Sequence, residues 1–198
     1  VIPGDEYFEG LYADSDDPWD YAHDRYERRK YEITLAALPR ERYGRAWEPG
    51  CSVGEFTAML AERCDHVLAE DRVPRAVELA RGTVRRRGVS HRVDVRVGDL
   101  RSSIDGFAPG SLDLVVLGEV LYYVPADEAA GLAVRAAELV APGGALVLVH
   151  WRGLGDHACT GGDVHAAAVP RLTEEATGLT LRTSAVDEGF LLDVFEKR

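Results

Sequence analysis

Residues 48–54 read Glu48-Pro49-Gly50-Cys51-Ser52-Val53-Gly54, and what flanks this turn decides the fold. Before it, residues 44–49 read as a short strand ending at Pro49, and after it Phe56, Met59, Leu60 and Arg63 have helical spacing. Gly50 allows a tight turn, Gly54 lets a helix start close to a sheet, and the small Ser52 leaves room for a ligand against the backbone. Working outward, Val67 to Ala69 is a second strand, which completes one βαβ unit. Pro74 then falls in a first helical turn, Val77, Ala80 and Val84 share a helix face, and Val93, Val95 and Val97 alternate as a third strand. Leu112 to Leu117 is continuously apolar, as a strand covered on both faces must be, and Ala129, Leu132, Ala136 and Leu139 mark the next helix. Pro142, Gly143 and Gly144 stop it, and Ala145 to Val149 is a fifth strand. A glycine-rich loop from Gly153 to Gly162 and a helix from Asp163 to Thr177 follow. The end differs, because Asp187-Glu188-Gly189 separates Leu179–Val186 from Phe190–Phe195 as a hairpin would. The expected architecture is α/β: a three-layer, Rossmann-like sheet of seven strands closed by an antiparallel hairpin, unlike the six parallel strands of a dehydrogenase. One domain is expected over residues 1–198, with 1–43 as an amino-terminal cap segment and helix and 44–198 as the core.

Four carboxylates fall at the carboxyl ends of successive strands: Glu48, Asp71, Asp99 and Glu119. Ligands bind at that edge of an open α/β sheet. Asp71 lies about 20 residues past the glycine turn, where a carboxylate accepts from both ribose hydroxyls of an adenosine. Asp99 and Leu100, after Gly98, are placed to meet the adenine, while Gly50, Cys51, Ser52 and Gly54 form the turn beneath it. An acidic rim repels a pyrophosphate and suits a cation. S-adenosylmethionine carries both a sulfonium and an ammonium, so it is the expected cofactor, with S-adenosylhomocysteine as product.

Composition narrows the partners. The chain has 198 residues, 46% of them hydrophobic, and a formal net charge of −11. Its Lys and Arg residues are interleaved with acids, so no basic stripe is available for a phosphate backbone and no nucleic-acid partner is expected. No apolar run has the roughly 20 residues of a membrane span, and no basic-then-apolar secretion signal is read at the start. Cys51, Cys64 and Cys159 have no paired spacing, which suits a reducing, cytoplasmic setting. His157, Cys159 and His165 also lack ligand spacing, so no metal is expected.

From Tyr7 to about Gly162 the chain resembles the NodS-type methyltransferases, class I enzymes whose best-known members N-methylate the free amine of a deacetylated glucosamine oligosaccharide. The likeness rests on Asp17-Pro18-Trp19, on Tyr26-Glu27-Arg28-Arg29-Lys30, on Leu68-Ala69-Glu70-Asp71, and above all on Gly118-Glu119-Val120-Leu121-Tyr122-Tyr123. His150-Trp151-Arg152 and Gly162-Asp163-Val164-His165 look instead like a related bacterial branch tied to sugar or secondary metabolism. The resemblance therefore implies N-methylation of an amino sugar or other small amine, with small-molecule O-methylation as the alternative. It also implies an amino-terminal segment closed over the cofactor, with Trp19 and Tyr26 against its face and Lys30 or Arg28 near its carboxylate. Trp19 as a packing residue and residues 28–30 as a solvated helix face are the structural alternatives.

An amine must lose a proton before it attacks a methyl group. Glu119 and His150 end strands on the cofactor edge and are the candidate bases. Tyr122, Tyr123, Arg152 and His165 are the candidate acceptor contacts, although Asp163 and His165 equally suit a helix start with Asp163 at the N-cap. Two other readings stand beside these. Gly50-Cys51-Ser52-Val53-Gly54 matches a serine-hydrolase elbow with Ser52 as nucleophile, and a cofactor-binding protein without catalysis would share the same turn.

Overall fold

The computed structural model describes residues 3–198. Helices α1 (Asp5–Asp14) and α2 (Arg25–Ala36) come first, followed by β1 (Tyr43–Pro49) and α3 (Glu55–Leu60). Alternation continues through β2 (Cys64–Asp71), α4 (Pro74–Arg86), β3 (Val93–Val97) and a single turn, α5 (Leu100–Ser103). Then come β4 (Leu112–Gly118), α6 (Ala126–Leu139) and β5 (Val140–Trp151). α7 (Gly161–Leu172) leads into β6 (Leu179–Val186) and β7 (Phe190–Lys197).

The strands form one seven-stranded sheet in the order β3-β2-β1-β4-β5-β7-β6. β1 to β5 pair in parallel, and β7 runs antiparallel to both β5 and β6, as the hairpin signal requires. Chain order reverses between β1 and β4, so the crevice for a ligand opens at their carboxyl ends.

Period-two alternation builds a core on each face. Val115, Leu117, Leu146 and Leu148 pack against Ala129–Leu139 of α6 and Val164, Ala168 and Leu172 of α7. Their neighbours Leu114, Val116, Ala145 and Val147 pack against Leu60 and the Val77–Ala80–Val84 stripe of α4. Each such side chain contributes about 1.5–3 kcal/mol by leaving water, and a strand buried on both sides has no polar position to spare.

Three boundaries differ from the sequence reading. Pro142, Gly143 and Gly144 do not separate helix from strand: β5 already pairs at Val140 with Leu112, and the register shifts before Ala145 meets Leu114. Gly143 takes φ +74°, and a Cβ on Gly144 would sit 2.7 Å from the Asp113 carbonyl oxygen, so these glycines make a kink inside the strand. α7 starts at Gly161, capped by Thr160, with Asp163 at N3 of a capping box and not at the N-cap. It ends at Leu172, where the Thr173 hydroxyl turns back to the Val169 carbonyl at 3.0 Å.

Candidate active site

The β1–α3 turn has three residues with positive φ: Gly50 (77°), Ser52 (48°) and Gly54 (80°). Two of these demand glycine by space as well as by angle. A Cβ on Gly50 would stand 2.1 Å from Val120 Cγ1, and one on Gly54 would stand 3.0 Å from the Ala80 backbone. Gly54 thus lets α3 start against α4 while Leu60 of the same helix packs on the sheet. Ser52 adopts the left-handed conformation at a cost that its surroundings repay. Its N–H donates to Asp71 Oδ2 at 2.9 Å, and its hydroxyl lies 2.6 Å from the Tyr12 hydroxyl.

Asp71 is the clasp of this arrangement, because its other oxygen accepts the Val73 N–H at 2.9 Å. Burial raises its pKa, and the Val73 and Ser52 N–H groups oppose that shift. Around it opens a cavity floored by Gly50, Ser52, Asp71, Gly98, Asp99 and Leu100. Glu119, Val120 and Tyr123 form one wall, and Phe8, Tyr12, Trp19 and Tyr21 form an aromatic roof. Trp19 and Tyr21 stack with centroids 5.5 Å apart, and Phe8 meets the Tyr123 ring edge-on at 4.9 Å. A second, smaller lobe shares Gly50, Ser52, Tyr21 and Glu119 with the first and runs on to Lys30, Tyr31, Glu48 and Cys51.

Most of the expected cofactor residues therefore meet: Trp19, Lys30, Glu48, Gly50, Cys51, Ser52, Asp71, Asp99, Leu100 and Glu119 line one lobe or the other. Tyr26 does not. It packs beside Phe190, 6.3 Å between rings, under the β6–β7 hairpin, where Gly189 has no side chain to obstruct it. Arg28 is exposed and paired with Glu32. Lys30 is only 2% exposed and bridges Glu27 at 2.8 Å and Glu119.

The candidate bases and acceptor contacts need correction on geometric grounds. Glu119 takes Lys30 on one oxygen and both the Tyr122 hydroxyl (2.7 Å) and the Trp151 N–H (2.9 Å) on the other, which makes it a fixed anion. His150 is fully buried and lines neither lobe. Its Nε2 accepts the Leu121 N–H at 3.4 Å, and burial first, then the neighbouring His165 imidazole and the Lys30 ammonium, hold its pKa well below that of a free imidazole. His165 is buried beside it. Arg152 donates to the Asp187 carbonyl, away from the cavity, and Tyr122 reaches it only through Glu119, leaving Tyr123 as the candidate on its wall. Phe8, Tyr12, Tyr21 and Arg72 line the main lobe and were absent from the sequence reading. Among the described residues Ser52 has no imidazole as a hydrogen-bond partner, which removes the hydrolase.

Glu48 tests whether the cofactor fits. It is 5% exposed, lines the second lobe, and its Oε2 has no hydrogen-bond partner. An orphaned buried carboxylate asks for a donor, and an ammonium group is the strongest one available. The adenosine end has Asp71 and Asp99 with an aromatic roof, so the two lobes together suit S-adenosylmethionine.

A crevice so lined, at the carboxyl edge of a sheet in this strand order, defines a class I methyltransferase, the class that takes its methyl group from S-adenosylmethionine. Comparison with known proteins agrees. The profile of the Methyltransferase domain family matches residues 47–148. Nodulation protein S of Rhizobium tropici is 30% identical over 187 residues, 90% of this chain and 74% of that one. A crystal structure from Pseudomonas syringae, described as a candidate methyltransferase, is 37% identical with a TM-score of 0.71, covering 88% of this chain and all of that one. The N-methyltransferase NodS of Bradyrhizobium japonicum, solved with S-adenosylhomocysteine, shares the fold at a TM-score of 0.77 and 23% identity, covering 97% of both chains. The chain belongs to the nodulation protein S family of methyltransferases.

Burial, with the Asp71 charge adding to it, pushes the Glu48 carboxyl up to about 8. The nearby Thr57 hydroxyl opposes this by more than the Asp71 charge adds to it. Before cofactor binds, Glu48 is therefore mostly protonated at pH 7, and pairing with an ammonium drives that proton off. Binding of S-adenosylhomocysteine at pH 7 is expected to release just under about one proton, read calorimetrically as an enthalpy that varies with buffer ionisation heat. Glu48→Gln abolishes the release. Proton uptake, or no exchange in the wild type, contradicts the assignment.

Proposed function

We propose that this protein transfers a methyl group to the free amine of an amino sugar or similar small amine, with a small hydroxyl compound as the second reading. The observation that carries it is the charge beside the cavity: two carboxylates, Glu27 and Glu119, share the single Lys30 ammonium. That excess of negative charge favours a cationic or amine-bearing acceptor over a neutral alcohol. The nodulation protein relatives and the NodS N-methyltransferase neighbour support the same choice.

When bound, S-adenosylmethionine supplies an electrophilic methyl group, so the protein has only to bind, orient and dry the reactants. Asp71 and Asp99 would hold the adenosine and Glu48 the ammonium, while Trp19 and Tyr21 exclude water from above. Tyr123 gives a flat apolar wall suited to a sugar face. No imidazole lines either lobe among the described residues, so an acceptor drawn in as the ammonium gives its proton to solvent before the free amine attacks, and the methylated nitrogen takes over the positive charge that the sulfur loses. We place the enzyme in a reducing, cytoplasmic compartment, a reading supported by three free cysteines.

A screen with radiolabelled methyl donor tests the acceptor. A fully deacetylated chitin tetramer should take label, and its N-acetylated counterpart should not. Equal labelling of the N-acetylated oligomer establishes an oxygen acceptor instead. Absence of label in any amine or hydroxyl compound of the screen favours a cofactor-binding protein without catalysis.

A further inference from the structure

We infer that Asp193, His165 and His150 form a buried positioning chain that fixes the turn carrying Glu119 and Tyr123. The three side chains come from β7, α7 and β5, all are buried, and none lines either lobe. His165 Nδ1 lies 2.5 Å from Asp193 Oδ2, and His165 Nε2 lies 3.1 Å from His150 Nδ1. The Leu121 N–H closes the chain on His150 Nε2.

The direction of these bonds follows from their ends. A carboxylate only accepts, so His165 carries a proton on Nδ1 and presents a lone pair at Nε2. His150 donates to that lone pair from Nδ1, which leaves its own Nε2 free to accept from Leu121. A backbone N–H only donates, and the two ends therefore agree. One extra proton on either ring finishes with an imidazole N–H against the Leu121 N–H, and one proton fewer leaves a lone pair facing a lone pair.

What the chain holds is a strained turn. Glu119 has φ +57°, a conformation that costs a residue other than glycine about 1–3 kcal/mol. Its N–H donates to the Val149 carbonyl at 2.9 Å, and the Trp151 N–H donates to its carboxylate at 2.9 Å. Val149, His150 and Trp151 thus grip residues 119–121 from three consecutive positions of β5. His150 is the one grip whose acceptor depends on a tautomer. Through it, Asp193 governs the placement of the Glu119 anion and the Tyr123 wall without touching a reactant.

The kinetic arm of the test rests on the methyl-transfer reading, and the spectroscopic arm does not. In the wild-type protein, nitrogen-edited NMR of the imidazoles should show both His150 and His165 protonated at Nδ1 and not at Nε2. Nε2 protonation of either ring overturns the chain. With the deacetylated chitin tetramer as acceptor, Asp193→Ala and His165→Phe should lower kcat about tenfold or more, the effect of leaving one buried hydrogen-bonding group unpaired. Their affinity for S-adenosylhomocysteine should stay within about threefold of wild type, since Asp71, Asp99 and Glu48, which would hold it, lie outside the turn that the chain fixes. Asp193→Asn, whose amide oxygen still accepts from His165, should restore most of kcat. Wild-type kcat in Asp193→Ala, or kcat and cofactor affinity falling together in all three variants, overturns the inference. If the wild type leaves the tetramer unmethylated, the acceptor reading fails, and the imidazole spectra decide the chain by themselves.

Discussion

Asp71→Ala is expected to weaken S-adenosylhomocysteine binding by about 100-fold, because two losses coincide. The substitution deletes the carboxylate that the ribose hydroxyls would use, and hydrogen bonds to a charged group are worth about 1.5–3 kcal/mol. It also unties the turn, since the Ser52 and Val73 N–H groups both donate to this one side chain. Ser52 then keeps the Tyr12 contact and a weak Cys51 Sγ bond to its carbonyl, and no longer has a charged acceptor for its N–H to hold its φ of +48°. Asp71→Asn should be nearly as damaging. Both carboxylate oxygens face backbone donors, and an amide must turn its NH2 toward one of them. Calorimetric titration measures both effects. An affinity within about threefold of wild type for either variant would show that Asp71 neither binds the ribose nor holds the turn.

The backbone address of the site was legible because it is written locally. Glycines at 50 and 54, strand periodicity on both sides, and carboxylates at 48, 71, 99 and 119 need only neighbours in sequence to be interpreted. Side-chain direction is a different matter. His150 ends a strand on the cofactor edge, yet it alternates with Val149, which lines the second lobe, and shares the face of Leu146 and Leu148 toward α7. Strand parity alone was enough to move it away from the reactants. Glu119 lies at the expected place, but its three donors come from α2, the following turn and β5. No local pattern announces such a convergence. The roof was hidden for the same reason. Phe8 and Tyr12 belong to a ten-residue helix of weak amphipathicity, and only its packing near Val53, Val73 and Ala76 shows which face is inward. Tyr26 and Lys30 sit one helical turn apart on the same face, and the hairpin at Gly189 captures the first while the cavity receives the second.

Lys30→Met should cost the fold more than any other single change at the site. Removing one member of a buried ion pair leaves an uncompensated charge, at about 3–5 kcal/mol, and here two carboxylates lose the ammonium they share. For a chain of this size that corresponds to a fall in Tm of about 10 °C or more. The pH dependence identifies the cause. Burial lowers the Lys30 pKa, but Glu119 and Glu27 outweigh it and leave the value raised. Its contribution is therefore complete below the ordinary lysine pKa and is lost only as pH rises through the higher folded value, so the pair is intact at neutral pH. Glu27 is raised by burial even with Lys30 opposing it, and without Lys30 it rises further. A carboxylate raised in the folded state favours the fold when protonated and opposes it as pH rises, so the variant recovers stability as pH falls. The gap in Tm between wild type and Lys30→Met should accordingly narrow from pH 7.5 to pH 5, and Lys30→Met with Glu27→Gln should regain part of the loss at pH 7.5. A gap that stays constant across this range would mean that the lost packing of the lysine stem, and not the unpaired carboxylates, sets the cost.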